Sequence, residues 1–133
     1  PVVFCAHPRT ARRLRGFPKG LHGFPVILPT SDSQVSRKVK EFFIEHRIEP
    51  EIVGEIEDVE LVRRLALSGS GVAPLNQLTA LHAPSRGRLV VVGRPASPIE
   101  ERLYLITRPR RRPHPLVSRL IEGFRLAPEP ARR

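Results

Sequence analysis

The feature that most constrains the fold of this chain is the stretch at residues 54–75, GEIEDVELVRRLALSGSGVAPL. Asp58 is placed to cap a helix by accepting a bond from an orphan backbone N–H group. Gly69 stands where a glycine takes the left-handed conformation that ends a helix. Between them, apolar residues recur at helical spacing, namely Leu61, Val62, Leu65 and Ala66. With a strand ending at Ile56 and a buried strand at residues 72–75, this β-α-β unit predicts a parallel sheet with a helix on its face.

The flanking sequence repeats this alternation of short apolar runs and amphipathic segments. Strands are predicted at residues 1–6, 24–28, 52–56, 89–92 and 103–107. A helix follows the second strand, with Ser31, Asp32 or Ser33 as its N-cap. Its apolar face contains Val35, Val39, Phe42, Phe43 and Ile48. Further helices are predicted at residues 77–82, capped by Asn76, and after Pro113 and Pro115, with a stripe of Leu116, Val117, Leu120, Ile121 and Phe124.

Composition restricts the class of protein. The 133 residues are 40% hydrophobic, which fits one globular domain and not a disordered chain. Cys5 is the one cysteine, so no internal disulfide framework can form, and a reduced, cytoplasmic setting is favoured. We expect Cys5 to be a core residue and not a reactive thiol. No apolar run is long enough to span a membrane.

The net charge of +10 indicates attraction to nucleic acid or another polyanion, or a basic surface without a partner. One cluster contains Arg9, Arg12, Arg13, Arg15 and Lys19, and another lies at residues 108–112. Neither cluster is interleaved with aromatic residues, as a single-strand binder requires. No helix-turn-helix or zinc-finger signature is present, so direct DNA binding by this chain is disfavoured.

Enzymatic chemistry is also disfavoured. The serines of residues 68–71, SGSG, lack the glycine spacing of a nucleophile elbow. The five histidines are scattered, without the spacing of a metal site. We therefore expect no catalytic residue, metal or cofactor.

The pattern of an acidic helix start, then LVRRLALSGSGVAPL, and then RLVVVGRP resembles the effector-binding domain of LysR-type transcriptional regulators. Together with EERLYLITRPRRRPHPLVSRLI, it is similar to the regulators of sodium/proton antiporters. The resemblance covers residues 1–126. It implies an α/β fold, the type 2 periplasmic-binding-protein-like fold: a three-layer αβα lobe with a mainly parallel sheet, plus part of a second lobe.

The resemblance also implies a division of the chain. Residues 1–8 and 99–127 would be part of the first effector lobe, and residues 24–92 the second lobe. Residues 9–23 and 93–98 would be the hinge or crossover segments, and residues 128–133 a tail. In a first lobe represented by so few elements, the stripe of the last helix should be partly exposed or buried against another copy of the chain. The chain would then be a fragment of a larger regulator.

The predicted function is to hold a small molecule or ion between the two lobes and relay its presence to a DNA-binding domain outside this chain. A strand end that feeds a helix start is where α/β folds bind ligands. With the resemblance, this gives the ligand-binding residues Thr30, Ser31, Asp32, Ser33, Pro74 and Leu75. A sodium or pH signal is implied by the resemblance, as is a cytoplasmic homo-oligomer without membrane contact. The alternatives are a solute-binding protein that delivers ligand to a transporter, or a basic nucleic-acid-binding fragment.

Overall fold

The computed structural model describes residues 1–80, 88–102, 104–106 and 115–124. The chain divides into an N-terminal unit, Pro1–Glu101, and a C-terminal unit, Arg102–Arg133. The N-terminal unit contains, in chain order, β1 (Val2–Ala6), α1 (Pro8–Ala11), β2 (Pro25–Pro29), α2 (Gln34–Glu45), β3 (Glu51–Ile56), α3 (Val59–Ser68), β4 (Ala73–Asn76), α4 (Gln77–Ala80) and β5 (Val90–Gly93). In the C-terminal unit, α5 covers Pro115–Gly123.

The strands of the N-terminal unit form a three-stranded sheet, β4-β1-β5, and a two-stranded sheet, β2-β3, and a single bridge places them side by side in the order β3-β2-β4-β1-β5. β2 pairs in parallel with β3, and a parallel bridge between Val26 and Val72 joins β2 to the start of β4. At this bridge the backbone N–H of Ile27 donates to the carbonyl of Val72 at 2.9 Å. β1 lies between β4 and β5 and is antiparallel to both. β1 is thus reversed relative to the other strands, so the pairing is mixed, parallel at β3-β2-β4 and antiparallel on both sides of β1. The predicted α/β fold is confirmed, with a mixed and not a mainly parallel sheet.

The core has one layer on each face of this sheet. Val2, Phe4 and Ala6 of β1 belong to a cluster that includes the apolar face of α2. Val3 and Cys5 belong to a second cluster that includes the apolar face of α3. Successive side chains of a strand point to opposite faces, so α2 and α3 cover opposite sides of the sheet. The unit is a three-layer αβα lobe, as predicted.

The helix after β2 matches its sequence pattern along its length. The predicted apolar residues are buried, and they are Val35, Val39, Phe42, Phe43 and Ile48. Ile48, however, follows the end of the helix, because Arg47 turns the chain with a positive φ of 54°. The N-cap position belongs to Ser33, one of the three candidates.

Both ends of α3 are confirmed. The Asp58 carboxylate accepts bonds from the backbone N–H groups of Glu60 and Leu61, and Gly69 has a φ of +90°. The predicted apolar face is wrong at Leu61, which is 46% exposed. Arg63 is buried instead, because its guanidinium pairs with the Glu60 carboxylate one turn earlier. The Arg63 bond is also what lowers the pKa of Glu60 to about 2.

The predicted division of the chain needs one correction. Residues 1–8 do not belong to a different lobe from residues 24–92, because β1 pairs with β4 on one side and β5 on the other. The segment predicted as the first hinge, residues 9–23, packs on the same core through Leu21 and Phe17. The second predicted crossover, residues 93–98, stays a prediction, as does the assignment of residues 102–127 to another lobe.

In the C-terminal unit the predicted helix is confirmed as α5, with Pro115 in its first turn. Its apolar stripe is exposed in the single chain, as expected, at Leu116, Val117, Leu120, Ile121 and Phe124. The predicted strand at residues 103–107 is wrong for residues 104–106, which do not form a strand. A strand requires a hydrogen-bonded neighbouring strand, and no strand within the described residues pairs with residues 104–106. Residues 103 and 107, the predicted turn at 84–87 and the tail at 128–133 lie outside the described residues.

Candidate functional site

The loop between β2 and α2 places four polar residues at one edge of the sheet. Thr30 directly follows β2, and its backbone N–H donates to the carbonyl of Ile56 at the end of β3 (3.2 Å). The N–H of Ser33 donates to the Thr30 carbonyl at 2.9 Å, which closes a tight turn. Thr30 and Ser33 are half-buried, whereas Ser31 and Asp32 are exposed. The four polar residues that the sequence predicted for this site, residues 30–33, thus lie together in the structure.

The start of α2 is held by backbone geometry and not by a capping side chain. Ser33 has the extended conformation of an N-cap residue, with φ −65° and ψ 132°, but its hydroxyl makes no capping bond. Arg37 reaches back one turn, and its Nη1 donates to the Asp32 carbonyl at 3.0 Å. The N-terminal end of a helix carries about half a positive charge on its orphan N–H groups. This end of α2 therefore offers its donors to the loop without competition from the Ser33 hydroxyl.

Asp32 is kept ionised by its neighbours in the loop. The Thr30 hydroxyl bonds to the carboxylate and, with nearby backbone N–H groups and the Arg37 charge, holds the pKa of Asp32 below its usual value. The exposed turn consequently contains a full negative charge next to the positive end of α2. Such a juxtaposition suits a polar or charged ligand better than an apolar one.

Of the predicted residues on β4, neither presents a side chain at this edge. Pro74 is fully buried, and Leu75 is 1% exposed in the cluster between the sheet and α3. Both side chains fill the core, and the assignment of Pro74 and Leu75 as ligand-binding residues stays a prediction.

Asn76 is the residue of β4 that the sequence interpretation did not assign to the site. Val26 and Val72 are bridged in parallel, and Thr30 and Asn76 each lie four residues further on, so both reach the same edge. The Asn76 Oδ1 accepts from the Leu78 N–H at 2.9 Å, and its Nδ2 donates to the Glu101 carboxylate at 2.9 Å. The capping bond to α4 was predictable, but the shared edge depends on strand register, which the sequence pattern does not show.

Two absences apply to residues 1–80, 88–102, 104–106 and 115–124, the part of the chain that the structure describes. No helix there is both long and apolar enough to cross a membrane. Within the same residues, no group of three or more histidine, cysteine, aspartate or glutamate side chains is arranged to hold a metal ion.

Solved structures with the same fold include two regulatory domains and one full-length regulator. The CcmR regulatory domain of Synechocystis, solved in complex with 2-PG, matches with a TM-score of 0.59 and 21% identity over 69% of this chain and 45% of that chain. The regulatory domain of HypT from Salmonella typhimurium, in its apo form, gives a TM-score of 0.58 and 19% identity over 69% of this chain and 44% of that chain. Full-length HypT, a hypochlorite-specific LysR-type transcriptional regulator, gives 0.58 and 18% over 69% of this chain and 31% of its own length.

At these identities the likeness shows the fold, and the chain spans less than half the length of these structures. No curated protein matches the sequence. The family comparison covers nearly the whole chain, since residues 1–127 match the family described as the LysR substrate binding domain. This decides between the predicted regulator and the solute-binding alternative. The chain belongs to the LysR substrate-binding domain family.

Proposed function

We propose that this chain supplies one half of an effector site in a LysR-type transcriptional regulator, at the sheet edge formed by residues 30–33 and Asn76. The observation that supports this most directly is the start of α2, where the helix end is not capped by the Ser33 side chain. The hydroxyl groups of Thr30 and Ser31 lie in the loop that leads into this helix, and Asn76 lies at the same edge of the sheet. Ligands of α/β folds bind at the carboxyl ends of parallel strands, which is where these residues lie.

The ligand class that fits this edge is a small polar molecule or ion. Backbone N–H groups at the helix start favour an anionic group, and the ionised Asp32 favours a cation or a hydrogen-bond donor. A ligand that carries both kinds of group would satisfy both. That the CcmR regulatory domain was solved with 2-PG supports a small-molecule effector in this fold.

Regulation would follow from preferential binding to one arrangement of two lobes, because a ligand shifts an equilibrium only by its difference in affinity for the two states. The response would reach DNA through a separate DNA-binding domain of the regulator. We place the regulator in the cytoplasm and assign no catalytic step to this chain.

A homo-oligomer is part of this proposal. β3 is an edge strand that pairs only with β2 among the described strands. Its residues Ile52 and Val53 are exposed, as are Val59 and Leu61 of the following helix. An exposed apolar edge strand is normally covered by another chain or protected against pairing. A second copy of the chain is the partner we propose for this edge.

The effector site can be tested by NMR titration of the chain with sodium chloride and, separately, with small carboxylates. We expect saturable shifts at Thr30, Ser31, Ser33 and Asn76. Replacing Thr30→Val should weaken the binding about tenfold, the equivalent of one charge-assisted hydrogen bond. The matched control is Ser70→Ala, a hydroxyl loss at an exposed turn before β4, which should leave binding unchanged. Binding that Thr30→Val and Ser31→Ala leave intact would contradict the proposal.

A further inference from the structure

A groove lies at the opposite end of the same sheet. It has a volume of about 420 Å³ and is lined by His7, Arg9, Thr10, Arg13, Ser68 and Gly69. Val2, the first residue of β1, pairs with Asn76, the last residue of β4, and the two strands are antiparallel. His7, which follows the end of β1, and Gly69, which precedes β4, are therefore at the edge remote from Thr30. This groove is separate from the effector site proposed above.

The walls of the groove are fixed to each other by hydrogen bonds. Thr10 is buried, and its Oγ1 donates to the Gly69 carbonyl at 3.0 Å. The backbone N–H of His7 donates to the carbonyl of Ala66 at 3.2 Å. Residues 7–13 are thus held against the C-terminal end of α3. A site whose walls are already in place loses little conformational entropy when a ligand binds.

The groove has a positive charge that no acidic side chain in its lining offsets. Within the described part of the chain, neither Arg9 nor Arg13 forms an ion pair. Arg13 lies over the ring of Phe24 at 5.8 Å, a contact that uses the face of the guanidinium and not its N–H donors. The end of α3 contributes about half a negative charge, which two guanidinium groups exceed about fourfold.

One neutral donor, the imidazole of His7, completes the lining. The His7 Nδ1 accepts a bond from the Arg9 backbone N–H at 3.2 Å, which leaves Nε2 as the protonated donor of the neutral ring. The Ser68 hydroxyl donates to the Leu65 carbonyl at 2.8 Å, so it can offer a ligand only its acceptor lone pairs. Two guanidinium forks and an imidazole N–H are groups that proteins use to hold a tetrahedral oxyanion.

We propose that this groove binds the phosphate group of a small molecule, as a second ligand site of the chain. Its volume lies within the range of about 300–1,000 Å³ found for small-molecule sites. A nucleic-acid duplex requires a long basic face instead, and a single strand requires stacked aromatic residues, which this lining lacks. The chemistry shared by inorganic phosphate and a phosphate monoester is the recognised feature.

Calorimetric titration of the chain with inorganic phosphate tests this, against sodium chloride at matched ionic strength. Wild type should bind one phosphate per chain. The double variant Arg9→Gln/Arg13→Gln should bind at least about tenfold more weakly, because it removes both charged donors. The matched control is Arg12→Gln/Arg15→Gln, which removes the same charge from the same segment but outside the groove. Its binding should change by less than about twofold, the effect of screened charge at a distance.

A single variant, a second ligand and a variant of the effector site provide further tests. Arg9→Gln alone leaves the contact between Arg13 and Phe24 intact, so it applies if the double variant does not fold, and a loss of several-fold is expected. Titration with a phosphate monoester should show the same dependence on Arg9. Equal weakening by the groove and control variants, or binding of a DNA duplex without phosphate binding, would overturn the proposal in favour of a diffuse basic surface. Thr30→Val should leave phosphate binding unchanged, so the proposal for this groove and the proposal for the effector site are tested independently.

Discussion

The helices α2 and α3 lie on opposite faces of one sheet and differ in how their ends are determined. α3 begins at a carboxylate that accepts two backbone N–H bonds and ends at a glycine with a φ of +90°. α2 begins at Ser33, whose hydroxyl makes no capping bond, and ends before Arg47, a non-glycine residue at positive φ. The two helix ends share the same bonding pattern, since Ile48 donates to Phe43 as Ser70 donates to Leu65.

The difference shows where each helix obtains its stability. Local signals define α3, so its boundaries follow from a few residues of sequence. α2 relies on burial: Phe42, Phe43 and the following Ile48 are all in the core, and this packing holds Arg47 in an unfavourable conformation. A helix whose ends are set by packing keeps the donors at its start available, and the start of α2 is the edge where we place the effector.

The largest expected effect is at the end of α3. Gly69→Val places a β-branched residue at a φ of +90°, which should destabilise the chain by roughly 2 kcal/mol. Ser70→Ala, the next residue, should cost less than about 0.5 kcal/mol. Urea unfolding of both variants measures the difference. Equal losses would show that α3 does not depend on its glycine.

At the start of α3, Asp58→Ala should cost about 1 kcal/mol because two backbone N–H groups lose their acceptor. Asp58→Asn retains a capping oxygen and should lose only a fraction of this. Chemical denaturation at neutral pH provides the measurement. An Asp58→Ala variant as stable as wild type would place the origin of α3 in packing, as for α2.

The end of α2 should respond in the opposite direction. Arg47→Gly removes the strain of a non-glycine residue in the left-handed conformation, which is worth about 1–2 kcal/mol. The substitution also costs about 0.5–1 kcal/mol, because glycine loses more chain entropy on folding. The net gain should be about 0.5–1 kcal/mol, seen as a higher unfolding midpoint. A loss of stability on Arg47→Gly would mean that the arginine side chain makes a compensating contribution.

The smallest effect is expected at the start of α2. Ser33→Ala and Ser31→Ala should each change stability by less than about 0.5 kcal/mol, because no capping bond is removed. Thermal unfolding without ligand tests this. A loss near 1 kcal/mol for Ser31→Ala would make Ser31 the functional cap and contradict the position of Ser33.

The same contrast explains what the sequence could predict. Asp58 and Gly69 are local signals, and both were predicted. Leu61 was misplaced because periodicity counts apolar residues and does not anticipate that pairing with Glu60 lets Arg63 be buried. The position of β1 between β4 and β5 was missed, since strand composition does not identify its neighbours in a sheet.

The candidate site was predictable to the same extent. Residues 30–33 follow from the rule that ligands bind where a strand feeds a helix, and the structure brings these residues together. Pro74 and Leu75 came from a family pattern, in which apolar residues can equally fill the core. Asn76 could be assigned to the candidate site only from the strand register, which places it level with Thr30.

Cys5 gives the middle of this sheet an experimental use. Its thiol is buried in β1, and burial raises its pKa to about 12, so almost no thiolate exists at neutral pH. Because it is the one cysteine of the chain, the rate of its alkylation would report how often the strand between β4 and β5 opens. A ligand that stabilises this unit should lower the alkylation rate of Cys5. The rate measured at the central strand would then report binding at either edge of the sheet.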